Sequence, residues 1–134
     1  MTVPLHLSAF FLTGGPSDLQ GALAPLLEVS EHALAVVEDD AGIGTAPVVV
    51  VQQAWPLDFP VELGIYLRAA TEGMPLPGIL AQRMAQAWRV GVLWSDDDPN
   101  PYQWLHVAPQ QAVHRVFLDV QAFDAGRMVI ARRA

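Results

Sequence analysis

The stretch PGILAQRMAQAWR, residues 77–89, decides the fold class. From Gly78 onward Leu80, Met84 and Trp88 recur at i, i+4 and i+8, with Ile79, Ala81, Ala85 and Ala87 beside them. Gln82, Arg83, Gln86 and Arg89 take the opposite side. A 3.6-residue period with one apolar face is the pattern of a helix packed on a sheet. Pro77 falls near the first helical position, where an absent N–H costs nothing. Gly91, just beyond the periodic run, is expected to help the helix end.

The flanking sequence supplies the sheet. Val61, Leu63, Ile65 and Leu67 alternate with Glu62, Gly64, Tyr66 and Arg68, which predicts a half-buried strand. Pro47–Gln53 carries four consecutive valines and reads as a more central strand, cut off by Pro56 and Pro60. Ala33–Val37 suits a strand ended by the turn residues Glu38 to Gly42, although Leu27–Val37 fits a helix or a strand equally. At the start, Val3–Leu12 reads as a strand and Gly14-Gly15-Pro16 as a turn. Ser17 then stands ready to cap a short helix over Asp18–Leu23, which Gly21 weakens and Pro25 ends. After the main helix, strands follow at Val90–Trp94, Tyr102–Val107, Val113–Val120 and Arg127–Ala131. The expected fold is a single α+β domain over residues 1–134. It has one mostly antiparallel sheet with a C-terminal strand meander, backed by the 77–89 helix and a short N-terminal helix.

Composition narrows the function classes. The chain has 134 residues, of which 52% are hydrophobic and 16% charged, more apolar than an ordinary soluble domain. Strands buried on both faces would account for that, and so would an apolar patch covered by a second copy; a homodimer is expected. With no Cys, disulfides, thiolate metal sites and cysteine nucleophiles are all excluded, which fits a reducing cytosol. The opening Met1–His6 lacks a basic n-region and no apolar run is long enough to span a bilayer, so a cytoplasmic protein without membrane contact is expected.

Charge is distributed unevenly. Residues 1–67 hold eight acids and no base, whereas residues 68–134 hold seven Arg against six acids, and the chain has no Lys. Such a field attracts basic partners and repels polyanions, so nucleic acid is not expected as a ligand. A genome biased towards GC-rich codons explains the missing Lys but not the missing Arg, because the same bias favours Arg. The acids concentrate at Glu38-Asp39-Asp40 and at Asp96-Asp97-Asp98, the second followed by Pro99 and Pro101. Counted from Asp96, an EF-hand would need Gly at the sixth position and Glu at the twelfth; Pro101 and Val107 stand there, so no metal is assigned.

The hairpin around Ala108-Pro109-Gln110-Gln111 is the most informative local feature. A four-residue loop with Pro109 at the second turn position would pair His106 with Val113, Trp104 with Arg115 and Tyr102 with Phe117. One face then holds Leu105, Val107, Val116 and Leu118. The other presents Trp104, His106 and Arg115 as a mixed surface, with a cation–π pair between Trp104 and Arg115. A slip of one residue would instead set His106 against His114.

Nothing else in the sequence carries chemistry. The histidines His6, His32, His106 and His114 show no ligand spacing, and no Gly-x-Ser-x-Gly or complete dinucleotide motif occurs. No cofactor is expected. The primary expectation is a non-enzymatic, acidic protein-interaction module, of adaptor, inhibitor or immunity type, that engages a basic protein partner and self-associates. Its contacts would come from Glu38, Asp39, Asp40, Asp96, Asp97, Asp98, Trp104, His106 and Arg115. The alternative is a small enzyme or ligand-binding domain using His106, His114 and Arg115 in a pocket between the sheet and the 77–89 helix.

Overall fold

The computed structural model of the chain describes residues 5–38, 46–55, 58–67 and 75–134. In chain order these form β1 (Leu5–Leu12), α1 (Leu19–Leu27), β2 (Leu34–Val37), β3 (Val48–Ala54), β4 (Val61–Leu67), α2 (Pro77–Trp88), β5 (Val92–Ser95), β6 (Gln103–Val107), β7 (His114–Leu118), α3 (Val120–Asp124) and β8 (Ile130–Arg133). All eight strands join one sheet in the order β2-β3-β4-β1-β5-β6-β7-β8. Every pairing is antiparallel except β2 with β3. The chain is therefore α+β with a C-terminal meander, as its periodicities predict. Leu27–Val37, open between helix and strand in the sequence, resolves into a helix end, a 3-10 turn at Glu31–Ala33 and the edge strand β2.

Both faces of the sheet are buried over much of their area. On one, α1 and α2 cover Phe10, Leu12, Val48, Val50, Leu63, Ile65, Val92 and Trp94, with Leu80, Met84 and Leu23 entering from the helices. On the other, Leu93, Val116 and Leu118 pack with Phe59, Trp104 and Phe123, and α3 supplies part of the roof. Two cores on one sheet account for the apolar composition without a second subunit. Ile79, assigned to the packed face of α2, is instead 44% exposed, and Leu76 before it is 69% exposed. Among the described residues, no helix is long and apolar enough to cross a membrane.

Helix ends depart from the sequence reading in instructive ways. Asp18, not Ser17, caps α1, its carboxylate accepting from the Gly21 N–H at 3.2 Å. The helix then runs through Pro25 to Leu27 and closes at Glu28, a left-handed residue whose N–H donates to the Pro25 carbonyl while that of Val29 donates to Ala24. Burial of Leu23 and Leu27 offsets the hydrogen bond that Pro25 forfeits. Arg89, also left-handed, ends α2 in place of Gly91. Val120, expected in a strand, opens α3, because the Asp119 carboxylate accepts from the Ala122 N–H at 2.8 Å and turns the chain into a helix.

Candidate functional site

The hairpin register is slipped by one residue from the expected one. His106 faces His114, Leu105 faces Arg115 and Trp104 faces Val116, so the connection is one residue longer than a four-residue loop. Because successive side chains alternate between faces, this slip separates the expected surface. His106, His114 and Trp104 share the face roofed by α3, while Arg115 points from the opposite one. The Trp104–Arg115 cation–π pair does not form. Among the described residues, a contact of that kind forms between Arg132 and Phe117, 4.4 Å from the ring centroid. Trp104 belongs to the second core, edge-on to Phe11 at 5.8 Å and to Phe123 at 6.3 Å, with its indole N–H given to the Pro101 carbonyl at 2.9 Å.

The two histidines form a hydrogen-bonded pair, 3.1 Å from His106 Nδ1 to His114 Nε2. His114 Nδ1 lies 3.2 Å from the Ala112 carbonyl, which can only accept, so that nitrogen carries the proton. With neutral rings, His106 Nδ1 then donates to His114 Nε2 and leaves His106 Nε2 bare. Burial, then the neighbouring His114 ring and the Arg133 guanidinium, lower the His106 pKa from 6.5 to about 4. A base that weak is poorly matched to proton abstraction at neutral pH. The pair also lies across the sheet from α2, so the space between sheet and helix holds packed hydrophobic side chains and neither histidine.

The acidic segments are not brought together. The chain leaves β2 at Glu38 and β5 at Asp96 in opposite directions, with β3, β4 and β1 between them. Four strand spacings put them about 19 Å apart across the sheet. Asp39 and Asp40 lie outside the described residues. The Asp96 carboxylate is taken by Arg115 at 3.0 Å and by the Gln103 amide at 2.9 Å. Asp98 accepts from the Asn100 N–H at 2.9 Å, the side-chain-to-backbone bond of a tight turn. Asp97 and Asp98 remain exposed, with no ion pair among the described residues. Among the described residues no three His, Asp or Glu side chains cluster as metal ligands would.

A different site emerges from the cross-strand rows. Gln53, Glu62, Phe11, Leu93, His106 and His114 stand opposite one another in one continuous row over six strands. The roof over this row covers Leu93 and the strands beyond it but stops short of Glu62. There the surface opens into a cavity of about 200 Å³ lined by Phe11, Trp55, Phe59, Glu62, Gly126 and Met128. Trp55, 44% exposed, gives its indole N–H to Glu62 Oε1 at 3.2 Å, and its backbone N–H to the Pro60 carbonyl at 2.8 Å. A wider hollow of about 500 Å³, lined by Glu38, Gln52, Gln53 and Ala54, shares Trp55 as a wall. Of the described acids singled out in the sequence, Glu38 is the one that lines this region.

Sequence reasoning missed Trp55, Phe59 and Glu62. Glu62 registers only as a polar position in an alternating strand, and Trp55 and Phe59 fall among prolines that read as a break. The available signal was the β3–β4 hairpin itself, whose pairing of Gln53 with Glu62 brings Trp55 beside the carboxylate. Set against known proteins, the chain matches no family model, no curated protein and no solved structure.

Proposed function

We propose that the protein is a non-enzymatic binding module of the cytoplasm that engages a basic protein partner. The observation that carries the reading is that strand order keeps the two charge halves apart. β2, β3, β4 and β1, all from the base-free first half, occupy one side of the sheet, and β5 to β8 occupy the other. Only two ion pairs form among the described residues, Arg83 with Glu28 at 4.0 Å and Arg115 with Asp96 at 3.0 Å. Glu31, Glu38, Asp58, Asp97 and Asp98 thus stand exposed and uncompensated. Such a field accelerates encounter with a positively charged surface and opposes polyanions.

A catalytic reading has less support. No polar or charged side chain is buried among the described residues, and His106, its pKa lowered to about 4, is poorly matched to base catalysis at neutral pH. Self-association is part of the proposal, through the exposed Leu76 and Ile79 at the start of α2. Light scattering at micromolar concentration should report a dimer that Leu76→Ser with Ile79→Ser abolishes; a monomer in the unaltered chain removes this part.

The decisive test is capture of partners from host lysate, washed at low and then high salt, with bound proteins identified by mass spectrometry. A stoichiometric basic protein should be retained at low salt and released at high salt, because exposed charges are screened beyond about 8 Å at physiological ionic strength. Neutralising Glu38, Asp39 and Asp40 together should weaken retention more than neutralising Asp97 and Asp98. Salt-insensitive retention, or retention unaffected by either set, overturns the reading.

A further inference from the structure

We infer that the cavity between Trp55, Phe11 and Phe59 is a receptor for an alkylammonium group, supplied by a lysine or methylated lysine side chain of the basic partner. The inference deepens the binding-module reading and rests on it for the source of the cation.

The chemistry of the lining selects the ligand. Three aromatic rings, the Met128 side chain and one carboxylate surround about 200 Å³, room for a substituted ammonium head and little more. Aromatic faces carry negative potential, so a cation seated among them is attracted, most strongly by Trp and more so as water is displaced. No basic side chain lines the cavity among the described residues, and Arg127, between Gly126 and Met128, is exposed to solvent. An anion would meet the Glu62 carboxylate with no basic side chain among the described lining residues to offset it. A purely apolar ligand would leave the Glu62 carboxylate desolvated against it, a penalty that a cation removes.

Preorganisation points the same way. The Trp55 indole N–H is fixed on Glu62 Oε1, which sets the ring beside the cavity and leaves Oε2 to meet a positive charge. Phe59 is 6% exposed and packs edge-on to His106, with centroids 6.4 Å apart and planes at 88°, so this wall is anchored to the second core. Phe11 is held in β1 between Glu62 and Leu93. The hollow that shares Trp55 as a wall has Glu38 in its lining, which adds a second carboxylate beside the cavity.

The test uses the full chain and two short, otherwise uncharged peptides, one with a central trimethyl-lysine and one with its neutral tert-butyl carbon isostere. Binding is read from the Trp55 indole N–H resonance and from tryptophan fluorescence. The ammonium peptide should bind about five- to tenfold more tightly than its isostere and shift the Trp55 resonance. Trp55→Ala should abolish the preference, and Glu62→Gln, which keeps an acceptor for the indole, should reduce it several-fold. Equal affinity for the two peptides, or no movement of the Trp55 resonance at millimolar peptide, overturns the inference. If a captured basic protein is held equally by the unaltered chain, Trp55→Ala and Glu62→Gln, the binding module stands and the ammonium receptor falls. If the ammonium peptide binds as described while no salt-sensitive basic protein is captured, the pocket stands and the partner as its source is overturned.

Discussion

At the scale of single residues, His106 gives the clearest expectation. Its pKa is lowered from 6.5 to about 4 by burial, then by His114 and Arg133, so between those values the unfolded chain binds a proton that the folded chain refuses. Stability is therefore complete above about pH 6.5 and is lost as the pH falls towards 4. The ring is only half-buried, so the loss should be on the order of 1–2 kcal/mol rather than the full value of the shift. His106→Phe keeps the contact with Phe59 and removes the titration. Urea melts from pH 4 to 7 should show the unaltered chain gaining that amount on the variant as the pH rises; a constant difference would refute the assignment. Arg89 offers a second case. It ends α2 with φ of 54°, a conformation that penalises any side chain with a Cβ, and among the described residues no ion pair of its side chain offsets the strain. Arg89→Gly should raise stability by about 0.5–1 kcal/mol.

At the scale of elements, α3 contributes more than its five residues suggest. It roofs the second core through Phe123, which meets Tyr102 at 5.5 Å and Trp104 at 6.3 Å, and its first turn hangs on the Asp119 carboxylate. Asp119→Ala should cost about 1 kcal/mol and weaken the near-UV dichroism of Trp104. Unchanged dichroism would mean that the roof holds without its cap. The sequence could not announce this helix, because Val120–Asp124 is shorter than two turns and shows no period. Long or strictly alternating segments were legible: α2 from its i, i+4 stack and β4 from its period of two. The hairpin strands were legible as well, but not their register. Pro109 suits a turn in loops of either length, and one added loop residue moves every β7 side chain to the other face. That slip dissolved the Trp104–His106–Arg115 surface. The Trp55–Glu62 site was hidden for another reason. It joins β1, the β3–β4 hairpin and the segment before β8, and such convergence leaves no local spacing to read.

At the scale of the whole molecule, strand order turns an uneven sequence into a polarised sheet whose outer strands must be kept from pairing with other chains. The edge at β2 is only four residues long, and Gln20 of α1 donates its amide to the Leu34 and Glu31 carbonyls at 2.9 Å, which occupies the start of that edge. The edge at β8 relies on charge. Arg132 and Arg133 stand exposed there, and two copies meeting edge to edge would bring four guanidinium groups together. This disfavours a symmetric dimer through β8 and is consistent with the proposed self-association at the apolar start of α2 instead. Replacing Arg132→Thr and Arg133→Thr removes the repulsion while supplying residues with high strand propensity. The fold should survive, because the loss is confined to the Arg132–Phe117 contact, worth about 0.5–1 kcal/mol at an exposed position. Light scattering over a concentration series should then show growth beyond the unaltered species, accompanied by added β-sheet signal in the far-UV. If the variant scatters as the unaltered chain does, the two arginines are not what guards β8. Their positive charge would then act through the Arg132 contact with Phe117 and through Arg133, which is among the causes of the lowered His106 pKa.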